Sequence, residues 1–253
     1  MNTVRLAVLA SACSALLACS TETTDSENVK TEAIWSKIYV TTQGETSRVI
    51  AELNIDGPNG NNIRLTSSDK LVAKAANTSQ VMVEDEELFD VDYRAIFDVT
   101  AGGTKFTVDF TRASENKTLT STMLLPQPFN IVTPQKNQSF SATDTVTLSW
   151  TPGTENDTEL ESKLSIECKK NDGDATFIYV SNDQLSDDGS LTIDLDAIEE
   201  LKDASINTRQ ECSADFYLAR SRRGNVDPSY ASGSSAKAVQ ERYSDKFEIR
   251  LRD

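Results

Sequence analysis

The chain has 253 residues, of which 25 are basic, 40 acidic and none histidine, for a net charge of −15. Binding nucleic acid, or lying flat on an anionic bilayer, rests on Lys and Arg outweighing the acids, so no nucleic-acid partner is expected. Without histidine, the protein's own groups offer no Ser-His-Asp or Cys-His catalysis and none of the usual His-bearing zinc sites. No cofactor motif is present either.

Met1 to Arg5 is a short, singly basic start, and Leu6 to Ala18 is an uncharged run of apolar and small residues. That run is too short for the roughly 20 residues a helix needs to cross a bilayer, and it fits the apolar region of a secretion signal. It closes on Leu16-Leu17-Ala18-Cys19, which resembles a bacterial lipobox. The resemblance implies that residues 1–18 are a lipoprotein signal peptide and that Cys19 is acylated and becomes the first mature residue. One acyl chain binds marginally and stable anchoring takes at least two signals, so the three chains of the lipoprotein pattern would hold the protein permanently at a membrane. Ser20, in place of Asp, resembles the pattern of Gram-negative lipoproteins sent to the outer membrane, facing either the periplasm or the surface. With Arg5 gone, 24 basic residues face 40 acidic ones. Cys13 would leave with the signal and Cys19 would take lipid. That leaves Cys168 and Cys212, which are expected to pair in an oxidising compartment.

Residues 19–31 are rich in Thr, Ser, Glu and Asp without apolar periodicity, and are expected to be a disordered acidic tether spanning about 20 Å. From residue 32 the pattern is that of strands. Val49, Ala51, Leu53 and Ile55 alternate with polar residues, as do Val91, Tyr93, Ala95 and Phe97, and then Phe106, Val108 and Phe110. Such alternation marks half-buried strands. Ala101-Gly102-Gly103 between the last two runs reads as a tight hairpin turn. Shorter candidates are 34–42, 63–65, 70–75, 80–83 and 117–125. Seven or eight strands within 32–126 make a β-sandwich.

Pro126-Gln127-Pro128 marks a joint, because proline fixes φ and removes a backbone donor. A second module is expected over 127–253. Phe129 to Pro134, then Asp144 to Trp150 and Pro152, resemble the opening of a fibronectin type III or related immunoglobulin-like domain. The later alternation agrees: Leu164, Ile166 and Cys168; Leu191, Ile193 and Leu195; Cys212, Ala214, Phe216 and Leu218; Phe247, Ile249 and Leu251. Asp196-Ala197-Ile198-Glu199 reads as a cap opening one short helix. The expected class is all-β, two tandem antiparallel sandwiches. In the resemblance Trp150 falls on the second strand of its module and Cys168 on the third. A Cys168–Cys212 bridge would then join neighbouring strands of one sheet.

Glu84-Asp85-Glu86-Glu87, with Asp90 and Asp92, reads either as a calcium site or as a solvated loop, and better as the loop. Asp56 to Asn62, Asp172-Gly173-Asp174 and Asp187-Asp188-Gly189 read as turns. Arg220, Arg222 and Arg223 follow a strand and precede a long loop, 224–235, that holds Tyr230. Residues 209–253 contain 9 basic and 7 acidic side chains, against 15 and 33 in the rest of the mature chain. The cluster with Tyr230 is therefore a candidate contact for an anionic envelope polymer or an envelope protein. The function expected is a non-catalytic binding or structural module of the envelope. The alternatives are a carbohydrate-active enzyme using a pair of carboxylates, or a calcium-stabilised adhesion module.

Overall fold

The computed structural model describes residues 23–66, 68–87 and 90–252. Cys19 and the signal segment lie outside them. Among the described residues the first half of the chain forms ten strands: β1 (Thr23–Asp25), β2 (Ile34–Thr42), β3 (Ser47–Ile55), β4 (Asn62–Arg64), β5 (Lys70–Ala75), β6 (Thr78–Val81), β7 (Val83–Glu87), β8 (Asp90–Phe97), β9 (Lys105–Arg112) and β10 (Lys117–Leu124). Nine follow: β11 (Ile131–Thr133), β12 (Ser139–Ser141), β13 (Thr145–Trp150), β14 (Glu159–Lys169), β15 (Ala175–Leu185), β16 (Ser190–Asp194), β17 (Cys212–Arg223), β18 (Ser235–Tyr243) and β19 (Phe247–Arg250). The protein is all-β, as its alternation predicts.

One twelve-stranded sheet, with the path β1-β4-β3-β2-β18-β17-β14-β15, runs through the whole body, and β7, β8, β12 and β19 attach beside that path. Two smaller sheets cover its inner face: β10-β9-β5-β6 at one end and β11-β13-β16 at the other. Each pairing encloses a core. In the first, Val49, Ala51 and Leu53 of β3 meet Phe106, Val108 and Phe110 of β9, and Phe97 meets Phe106 edge-on at 5.8 Å. In the second, Val146, Leu148 and Trp150 meet Leu164, Ile166, Phe216 and Phe247. Each Val, Leu or Phe side chain so buried contributes about 1.5–3 kcal/mol.

The joint at Pro126 does not separate two independent sheets. β18 pairs antiparallel with β17 and parallel with β2, with Ala236 opposite Ile38 and Val239 opposite Thr41. Ala236, Ala238 and Tyr230 belong to the first core, although they lie in the segment assigned to the second module. Buried Gln240 donates to the carbonyls of Thr100 (3.2 Å) and Pro126 (3.1 Å), fastening the joint to the same strand.

Three further expectations are corrected. Ala101-Gly102-Gly103 is no hairpin turn, since β8 pairs with β3 and β7 while β9 pairs with β5 and β10 in the opposite sheet. The glycines instead let the chain cross between layers, where the Gly103 N–H reaches the Leu125 carbonyl (2.8 Å). The short helix is a single 3-10 turn, Glu199–Lys202, without a side-chain cap. Leu195, Ile198 and Leu201 point inward at intervals of three, which suits three residues per turn better than 3.6.

The acidic segment is ordered from Thr23 onward rather than being a free tether to residue 31. β1 pairs parallel with β4, and Ser26, Val29 and Thr31 are buried. The cause is Arg112, fully buried at the end of β9 on the same parity as Phe106, Val108 and Phe110. Its guanidinium donates to the Ser26 and Val29 carbonyls (2.9 and 2.7 Å), to Thr31 Oγ1 (3.3 Å) and to Asp69 Oδ2 (3.1 Å). A buried guanidinium needs its donors satisfied, and this segment supplies three of the acceptors.

Candidate functional site

β17 carries the three arginines read as a contact surface. Its even-numbered positions from Cys212 to Leu218 face inward, and the strand continues to Arg223. Arg220 and Arg222 therefore also point inward, 1% and 7% exposed, and Tyr230 is 6% exposed. Arg220 donates to Asp187 through Nε (2.6 Å) and Nη2 (2.9 Å), to the Gln127 carbonyl (3.0 Å) and to the Thr151 carbonyl (3.0 Å). Arg222 pairs with Glu155 (2.6 Å) and Asp157 (2.9 Å). Arg223 is exposed and lies 3.1 Å from Glu159. Tyr230 stacks on Phe110 at 6.4 Å, and its loop is sewn to the first core by Trp35 Nε1 to the Gly233 carbonyl (3.0 Å) and by the Ala231 N–H to the Ile34 carbonyl. The cluster is a structural joint, and the surface expected for an anionic partner is corrected accordingly. Its acids come from 155–187, not from the first module.

Asp187, read from sequence only as a turn residue, is the centre of that joint. It also accepts from Trp150 Nε1 at 2.8 Å. Burial alone would raise its carboxyl, but hydrogen bonds from Arg220, Trp150 and the Gly153 N–H hold it below the usual carboxylate range. The readable signal was the indole N–H of an inward Trp, which needs an acceptor when buried.

The acidic run joins its charges to the sheet: Glu84 pairs with Arg64 (3.0 Å) and Asp85 with Arg94. Among the described residues no group of three or more Cys, Asp or Glu is placed to hold a metal ion. The turns at Asp56 to Asn62 and Asp172 to Asp174 are turns; Gly60 is required in the first, because a Cβ there would lie 1.7 Å from the Ile55 carbonyl oxygen. Glu211 and Glu248 share an open cleft of about 370 Å³. They hydrogen-bond to each other, which raises the Glu248 carboxyl. A glycosidase pair instead stands roughly 5–9.5 Å apart with the scissile bond between. The Cys168–Cys212 disulfide is present, joining the neighbouring strands β14 and β17 with Cα atoms 4.4 Å apart.

The outer face of the large sheet between β15 and β18 carries what the sequence reading passed over. Phe177, Tyr179 and Tyr243 are 56%, 56% and 55% exposed. Tyr217 and Tyr243 lie opposite each other with rings 5.2 Å apart. Lys163, opposite Tyr217, places its ammonium 4.1 Å from the centre of the Tyr179 ring. Glu161, Glu167, Asp215 and Glu241 share the face by register. Burial, then Glu241 and Asp215, push the Tyr243 phenol up, and Tyr217 shifts the same way through burial, Glu241 and Glu161. A second exposed apolar group, Val81 of β6 with Val83 and Ile96 of the large sheet, lies beside Arg48 and Arg94.

No protein-family model matches the sequence, and no curated protein matches it. Among solved structures it is similar to the FN1-FN3 domains of chicken CNTN1, at 10% identity and TM-score 0.32, over 87% of this chain and 67% of that one. It is also similar to the fibronectin(III)-like modules of Clostridium thermocellum CbhA (9% identity, TM-score 0.23, 86% and 90% coverage). The titin domains z1z2 in complex with telethonin are a third (13%, 0.23, 88% and 98%). Likenesses this distant carry no argument about activity.

Proposed function

We propose that this chain is a lipid-anchored lipoprotein of the bacterial outer membrane whose body is a non-catalytic binding module. The anchor reading rests on Leu16-Leu17-Ala18-Cys19 and on the uncharged run before it. The binding reading is carried by one observation: three aromatic rings more than half exposed on a single face of a sheet, beside a strand, β17, that turns two of its three arginines inward at the joint. Large exposed apolar groups gathered on one face mark interaction sites more often than isolated ones do. Because β1 begins at Thr23, only Ser20, Thr21 and Glu22 separate the acylated cysteine from the fold. Four Cα steps reach about 14 Å at full extension, so the body would be held against the membrane surface, not displayed on a long stalk.

The test is fractionation and cross-linking in a Gram-negative host. Wild type should sediment with outer membranes and Cys19→Ala should not, because acyl chains supply the affinity. A Cys19→Ala protein that still sediments with membranes would overturn the anchor. A protein that cross-links to nothing in intact envelopes would overturn the binding module.

A further inference from the structure

We propose that the open edge of β15, bearing Phe177 and Tyr179 on its outer face, binds an extended, lysine- or arginine-bearing peptide segment. The inference rests on the binding-module reading and names the chemistry of the partner. The aromatic rings offer π-faces, and a cation over such a face is held by the ring quadrupole. The face already holds one cation in this way, Lys163 over Tyr179. Carboxylates decide the sign of the partner: Glu161, Glu167, Asp215 and Glu241 stand among the rings, against Lys163 on the same face and Lys169 at 4.0 Å from Glu167. The whole chain, at −15, adds a long-range field of the same sign.

The backbone decides the shape of the partner. Among the described residues β15 ends the path of the large sheet and pairs with β14 alone, so no other strand among them covers one side of this 11-residue strand. Long, open edges are templates for a further strand, whose main-chain bonds give affinity while alternate side chains give specificity. A strand added there would lie about 4.8 Å from β15 and set every second side chain beside Phe177 and Tyr179. The patch at Val81, Val83 and Ile96 lacks this match, since its flanking charges include Arg48 and Arg94.

The experiment uses the full chain in detergent and three probes: a fluorescent (Lys-Thr)5 peptide, the matching (Glu-Thr)5 peptide, and cellohexaose. The lysine peptide should bind and the glutamate peptide should not, with binding falling as salt rises. Phe177→Ser with Tyr179→Ser should weaken the lysine peptide about tenfold or more, as does removing anchoring aromatics at interfaces generally. Glu161→Gln with Glu167→Gln should weaken it while keeping the rings. Val83→Ser should leave it unchanged. The proposal is overturned if the lysine peptide does not bind, if it binds equally to the Phe177/Tyr179 variant, or if cellohexaose is the probe lost with the rings. In that last case the binding module would stand and its partner would be a glycan. A failure of Cys19→Ala to leave the membrane would bear on the anchor alone.

Discussion

Arg220 and Asp187 meet in a two-pronged ion pair, Nε to Oδ2 at 2.6 Å and Nη2 to Oδ1 at 2.9 Å, across 33 positions of sequence. Two further N–H groups of Arg220 take the carbonyls of Gln127 and Thr151, and its guanidinium lies 4.7 Å from the centre of the Phe129 ring. One side chain thereby ties the joint, the end of β13, the turn after β15 and the middle of the large sheet.

Removing the acid should cost more than removing the base. Asp187→Asn leaves a guanidinium that is 1% exposed without its counter-charge, and breaking a buried pair this way costs about 3–5 kcal/mol. Arg220→Met should cost less, because the Asp187 side chain remains 18% exposed and keeps its bond from Trp150. Urea midpoints of the two variants give the order directly; equal losses would contradict the burial asymmetry.

The same carboxylate sets a pH dependence. Asp187 is held low, as is Asp227, where burial acting upward is outweighed by N–H groups of Ser229 and Thr120. A carboxyl whose folded pKa is depressed stabilises fully above its unfolded value, about 3.9, and that stabilisation is lost as pH falls through the folded value. Stability should therefore hold from neutral pH down to about 4 and fall steeply below it. Denaturant midpoints across pH 2–7 check this, and Asp187→Asn should flatten the acid limb.

Arg112 makes a local prediction. Arg112→Met removes the common donor to Ser26, Val29 and Thr31 and leaves Asp69 buried without its counter-charge, with only the bonds from Ser26 Oγ and the Ala113 N–H. The expected loss is about 3–5 kcal/mol, and residues 23–31 should become open to limited proteolysis before the rest of the body. If the segment stays protected, β1–β4 pairing with the bonds of Ser26 to Asp69 and of Thr31 to Glu115 holds it without the guanidinium.

The disulfide closes a loop of long separation, 44 positions between Cys168 and Cys212. Replacing both by Ala should cost ~4 kcal/mol in the chain-entropy treatment. The loss should show in the denaturant midpoint, and neither thiol of the wild type should react with an alkylating reagent until reductant is added.

The strands with one clean face were legible from residue order: Val49 to Ile55, Phe106 to Phe110, and Cys212 to Leu218 each alternate, and each is a strand facing a core. The inward parity of two of them also contained more than the apolar residues. Arg112 continues the parity of Phe106, Val108 and Phe110, and Arg220 and Arg222 continue that of Cys212 to Leu218. Charge made Arg220 and Arg222 read as surface, since an unpaired buried guanidinium is costly, and Arg112 was not singled out at all. β15 and β18 were missed for the opposite reason. β15 has apolar side chains on both faces of an edge, and β18 turns Gln240 and Arg242 toward the joint, so neither alternates cleanly.

By itself the sequence determined the all-β class and the lack of histidine chemistry, because alternation and composition are properties of the chain alone, while the Cys168–Cys212 pair was expected only with the lipobox resemblance setting Cys13 and Cys19 aside. Only the tertiary structure decided that the large sheet is continuous through β18 and β2, that Arg112 finds Asp69 and Arg220 finds Asp187, and that the exposed aromatics align. Those facts depend on which strands become neighbours. Strand partnership is settled by the joint burial of faces from distant segments, and no local pattern encodes it.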